Sequence, residues 1–109
     1  MTGTEYLCVN AVIVIASADL EEFWKGFEDV FNKVIAEEEC TLFERSYQED
    51  KENDEVIIRL FEAWTGTVEW FREVQMNKPY YKPYLEATQK LWRRDHEFKI
   101  ARRLGLSQY

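Results

Sequence analysis

Along this chain the spacing of apolar and polar residues changes period repeatedly. From Tyr6 to Ala16 the chain is almost continuously apolar, with Asn10 the exception, as in a strand covered on both faces. In "SADLEEFWKGFEDVFNKVIAEEE", Leu20, Phe23, Trp24, Phe27, Val30, Phe31, Val34 and Ile35 recur at helical spacing, while Glu21, Glu22, Lys25, Asp29 and Lys33 fall off that stripe. Asp19 followed by Glu22 predicts a capping box at its start. A second strand is expected through "CTLFERSYQE" and a hairpin loop at "EDKENDE". The third strand, "EVIIRLFEAW", puts Ile58, Leu60, Glu62 and Trp64 on one face and Ile57, Arg59, Phe61 and Ala63 on the other. Both faces carry apolar groups, so neither is expected to meet water.

Past Gly66 a helix is predicted from about Thr67, with Val68, Phe71 and Val74 on one side. Asn77 and Pro79 interrupt it, because proline lacks an amide donor and suits the first turn of a new helix. The restart carries Tyr81, Tyr84, Leu85, Thr88, Leu91 and Trp92, and "EFKIARRL" is expected to be the last strand. Strand, helix, strand, strand, helix, strand is the order of a ferredoxin-like α+β sandwich (βαββαβ), spanning residues 1–109 as a single domain. Helices cover one sheet face in that fold. The bare second face, apolar here, predicts a homodimer packed sheet to sheet.

Composition narrows the function. The chain has 109 residues, enough for one core, and a formal charge of −7. That balance disfavours nucleic acid as a partner. Arg93, Arg94, Lys99, Arg102 and Arg103 form a basic cluster that Asp95 and Glu97 interrupt, and it reads as a solvated strand end. Cys8 and Cys40 lie far apart without metal-ligand spacing, which suits free thiols. Glu5 precedes the apolar stretch Val9 to Ala18 where a signal peptide carries positive charge, and the stretch is too short to span a bilayer, so a cytoplasmic protein with no membrane partner is expected.

With a lone histidine, His96, no Gly-x-Ser-x-Gly, no phosphate-binding glycine loop and no His-Glu-x-x-His, the sequence lacks the motifs of hydrolysis, nucleotide binding and zinc chemistry. The stretch "EAWTGTVEWFREVQMNKPYY" instead concentrates flat rings. Such a lining suits a flat, partly phenolic small molecule, held by stacking and a few hydrogen bonds.

Three features together resemble the antibiotic biosynthesis monooxygenase family of the dimeric α/β-barrel superfamily. They are the helix "ADLEEFWKGFEDVFNKVIAEEECTLFERS", the Glu62-x-Trp64 strand end, and the following segment as far as "KPYYKPYL". The resemblance runs from about Val9 to Leu104. It implies a two-subunit α/β barrel and cofactor-independent oxidation of polyphenols or anthrones, with molecular oxygen as co-substrate and no metal or flavin. By that likeness Trp64, Asn10 and Gln75 are the candidate catalytic residues: Trp64 as pocket wall and indole donor, the two amides as donors to an oxyanion. Tyr80, Tyr81, Tyr84, Glu62 and Arg45 are the candidate substrate-binding residues, with Glu62 or Arg45 assisting proton transfer or anion binding. Gln75 stands where heme-degrading relatives carry their iron-binding histidine, which disfavours heme degradation.

Each residue has a plainer alternative: Asn10 satisfying backbone groups, Trp64 and the tyrosines packing a core, Glu62 an ion-pair partner, Arg45 rimming a dimer. Two other functions also fit, cyclisation, dehydration or decarboxylation of a polyketide, and ligand binding without catalysis. A pocket blocked by Tyr81 and Tyr84 would favour the last.

Overall fold

The computed structural model describes residues 5–104. Four antiparallel strands form one sheet in the order β2-β3-β1-β4, with β1 at Tyr6–Ala16, β2 at Cys40–Asp50, β3 at Glu55–Thr65 and β4 at Glu97–Arg102. The helices are α1 (Leu20–Ile35), α2 (Val68–Glu73) and α3 (Tyr81–Thr88). This is the ferredoxin-like α+β arrangement that the element order predicts. No helix among the described residues is long and apolar enough to cross a membrane.

The core lies between the sheet and α1. Leu7, Val9, Ala11, Ile13 and Ile15 of β1 and Val56, Ile58, Leu60 and Trp64 of β3 meet Phe23, Phe27, Val30 and Val34 of α1. Alternation along each strand leaves Cys8, Asn10, Val12, Ile57, Arg59 and Phe61 on the other face, which no helix covers.

Local chemistry sets the helix boundaries. Thr67 caps α2, its hydroxyl oxygen accepting from the Trp70 amide at 2.9 Å. The predicted capping box does not form: Ser17–Asp19 make a 3-10 turn leading into α1, and the Asp19 side chain caps nothing. After α2 a 3-10 turn at Gln75–Asn77 precedes the Pro79 break, and α3 restarts at Tyr81. The hairpin loop follows Asp50, whose carboxylate accepts from the Asn53 backbone and side-chain amides. Asp54, at φ 53°, supplies the left-handed residue that completes the turn.

Helices α1 and α3 pack tightly where α1 carries Gly26. A Cβ there would lie 2.9 Å from Thr88 Cγ2 and 3.0 Å from Ala87 Cβ, so hydrogen alone fits. Thr88 is fully buried, its hydroxyl donating to the Tyr84 carbonyl at 2.8 Å. This contact fixes the C-terminal end of α3 against α1. The tyrosines at the other end of α3 therefore lie over the sheet beside Glu62.

Candidate functional site

Glu62 is on the helix face of β3, in the alternation that also turns Leu60 and Trp64 inward. It is only 8% exposed, and among the described residues no cation pairs with it. Its carboxylate accepts one hydrogen bond, from the Trp64 indole Nε1 at 3.0 Å. Burial pushes the carboxyl up to about 7, and the indole N–H counteracts only part of that. Near neutral pH the group is therefore poised between acid and base.

Glu62 borders an apolar cavity of about 50 Å³ lined by Phe27, Phe31, Phe43, Leu60, Tyr81 and Tyr84. Phe27 meets Tyr84 edge to face at 5.7 Å and Phe31 meets Phe43 at 5.2 Å, so packed rings form much of the cavity wall. Burial raises both tyrosine phenols, Tyr84 to about 12, and the Glu62 carboxylate adds to the shift of each. Both remain neutral donors at physiological pH. The Cys40 thiol, on the strand beside Glu62, is raised to about 11 by burial and then by Glu62, which leaves it protonated and unreactive at neutral pH.

Behind Tyr81 lies a second polar layer. Gln75 is fully buried, and its Nε2 donates to the Tyr80 hydroxyl at 2.6 Å and the Tyr81 hydroxyl at 2.9 Å. Its Oε1 is buried without a partner. On the outer side Lys78 pairs with Glu37, tying the segment before α3 to the end of α1.

The structure thus gathers Glu62, Trp64, Gln75, Tyr80, Tyr81 and Tyr84 on one side of the sheet and leaves out two of the sequence candidates. Asn10 is exposed on the opposite face, because it pairs with Phe61 in register and shares that residue's orientation. Arg45 projects from the edge strand onto α1, its guanidinium 4.0 Å from the Phe31 ring centre and 3.6 Å from Glu28, and it does not line the cavity. Two other placements differ from the sequence reading. The Trp64 indole N–H is engaged by Glu62 and is not a free donor, and Gln75 addresses tyrosines in place of open space. Trp70 packs against Trp64 and Phe71. His96 is sandwiched between Trp92 and Phe98, away from the cavity. The cavity phenylalanines went unrecognised in the sequence, where their helical and strand spacing reads only as core. No group of three or more His, Cys, Asp or Glu side chains capable of holding a metal occurs among the described residues.

No family model matches the chain. It is 28% identical over 101 residues to a protein of Pestalotiopsis microspora described as a putative monooxygenase, a match covering 93% of this chain and 82% of that one. In fold it is similar to a crystal structure from Caulobacter crescentus described as a putative antibiotic biosynthesis monooxygenase, with TM-score 0.76, 17% identity, and 94% and 92% of the two chains covered. A Nitrosomonas europaea protein of the same description matches with TM-score 0.72, 12% identity, and 95% of both chains covered. The chain has the fold of these proteins, in agreement with the family resemblance drawn from its sequence.

Proposed function

We propose that this protein is a monooxygenase acting on an electron-rich aromatic substrate of the polyphenol or anthrone type, without a bound metal or flavin, and that Glu62 is its base. The observation carrying this reading is a nearly buried carboxyl with no cation paired to it among the described residues, raised to about 7 at the edge of an aromatic cavity. An isolated buried acid lowers stability, and such groups concentrate where proton transfer is needed. The similarity to proteins described as putative monooxygenases supplies the reaction class.

In this reading the Glu62 carboxylate takes a proton from the substrate's acidic C–H, leaving a carbanion conjugated with a ring oxygen. That anion reduces dioxygen, and a C–O bond forms to give a peroxide anion. Glu62 returns its proton to the peroxide, which loses water as the C=O of the quinone forms. One oxygen atom enters product and the other leaves as water. The substrate carbon, oxidised from CH2 to C=O, supplies all four electrons that reduce dioxygen and both hydrogens of the water, one through Glu62 and one as the second C–H bond breaks with the O–O bond.

The cavity is far below the ~300–1,000 Å³ of pockets that hold drug-sized ligands. Space must come from the rings around it. Tyr84 is the side chain to move, since Gln75 tethers Tyr81 and not Tyr84. Tyr84→Ala is accordingly expected to lower KM for a bulky substrate, as steady-state oxygen uptake would report. The small cavity favours a second reading, ligand binding without turnover, which recovery of the ligand unchanged would establish. The sheet face around the half-buried Val12, Ile57 and Phe61, which no helix covers, supports a homodimer as the working unit.

The deciding experiment is oxygen uptake by purified, metal-free protein with an anthrone or polyhydroxynaphthalene, followed by ultraviolet–visible detection of quinone. Uptake stoichiometric with quinone, lost in Glu62→Gln, is expected. Rearrangement of the substrate without uptake would move the assignment to cyclisation or decarboxylation.

A further inference from the structure

Three side chains outside the Glu62–Trp64 pair form an arrangement that packing alone does not explain. Gln75 is buried with half of its hydrogen-bonding capacity unused, since Oε1 finds no donor. A buried, unpaired amide oxygen lowers stability. The amide's two protons both go to phenol oxygens, those of Tyr80 and Tyr81. A phenol oxygen that accepts there still has its own proton to donate elsewhere. Tyr80 lies outside the cavity lining, whereas Tyr81 borders the cavity together with Glu62. The Tyr81 hydroxyl is thus held by its oxygen from behind; with the cavity empty its proton has the neighbouring Tyr80 oxygen to turn to, and an oxygen entering the cavity would compete for it.

We propose that Tyr81 is a catalytic residue whose hydroxyl donates to the substrate oxygen on which negative charge develops as Glu62 removes the proton, and that Gln75 is the positioning residue that sets it. This inference rests on the monooxygenase reading. It gives Tyr81 the oxyanion role that the sequence suggests for Asn10 and Gln75. It also defines the substrate more closely: a phenol or enolisable aromatic ketone whose oxygen is conjugated with the site of deprotonation. Burial keeps the phenol neutral and able to donate, and the nearby Glu62 carboxylate reinforces this. A fixed donor in a site that excludes water stabilises a developing oxyanion without reorganising as the charge forms.

The test is oxygen uptake by wild type, Tyr81→Phe, Gln75→Met and Glu62→Gln over a series of anthrones and polyhydroxynaphthalenes of graded acidity. Tyr81→Phe removes one oxygen atom, and a near-ultraviolet circular dichroism spectrum confirms its fold. Its kcat is expected to fall by about 100-fold with little change in KM. The loss must grow as the substrate becomes less acidic, because the weaker acid depends more on the donor. Gln75→Met, with Tyr81 intact, is expected to show the same dependence with a smaller loss. A Tyr81→Phe enzyme with wild-type kcat, or with a loss uniform across the series, would overturn the proposal. If Glu62→Gln is inactive while Tyr81→Phe is fully active, only this inference falls; if Glu62→Gln stays active, the base assignment falls with it. Should the wild type consume no oxygen, the absorbance spectrum of bound polyhydroxynaphthalene provides the test. Tyr81→Phe must then lower the fraction bound as anion, and an unchanged fraction overturns the proposal.

Discussion

Glu62 concentrates both the chemistry proposed for this protein and its cost. The carboxyl is raised from 4.5 to about 7, so the folded state holds its proton more tightly than the unfolded chain does. That contribution to stability is fully present below pH 4.5 and is lost as pH rises through 7, with a span of about 3 kcal/mol. Glu62→Gln should therefore flatten the stability profile over this window and be the more stable protein at pH 8, as urea denaturation across pH would show. Activity should run the other way. A base must be ionised, so kcat/KM is expected to rise through about pH 7 and to vanish in Glu62→Gln. Much of this was legible at the level of single residues. Period-two alternation puts Glu62 on the face of Leu60 and Trp64, where a lone carboxylate is already conspicuous. The face of Asn10 was not legible, because a strand apolar on both sides conceals which set points inward and only the register with β3 decides it. The grip of Gln75 on Tyr80 and Tyr81 was hidden too, since it spans a 3-10 turn and a proline break where neither regular period applies.

Among the elements, α1 and the four strands follow from hydrophobic periodicity strong enough to override weak local signals. The predicted capping box shows the limit of such signals: the entry to α1 is a 3-10 turn, and packing of the apolar stripe holds the helix there without a side-chain cap. The position of α3 depends on a contact that the sequence marks only with a glycine inside a helix. Gly26→Ala gains about 1 kcal/mol of helix propensity but must push Thr88 and Ala87 away, and overpacking a tight contact typically costs ~1–3 kcal/mol. We expect a net loss of stability, a lower Tm in thermal denaturation, and a weaker substrate response, because displacing α3 displaces Tyr81 and Tyr84. A Gly26→Ala protein as stable as wild type, with unchanged KM, would show that α3 yields freely.

For the molecule as a whole, the sheet has two unlike faces, one packed by helices and bearing Glu62, the other uncovered and bearing Val12, Ile57 and Phe61. If two copies join through the second face, folding and association are linked, and Tm should rise with protein concentration by mass action. Phe61→Arg should abolish that dependence and give a monomer in sedimentation. A Tm independent of concentration in the wild type would argue against the homodimer. The two-sidedness has an optical consequence as well. Trp64 is wholly buried on the helix side, and its indole N–H touches the Glu62 carboxyl, which is expected to ionise near neutrality. Its fluorescence should therefore change in colour or intensity as Glu62 gains and loses its proton, while staying indifferent to whatever gathers on the far side of the sheet. The chain carries its own unlabelled indicator for the site, and a titration followed in a fluorimeter would read it.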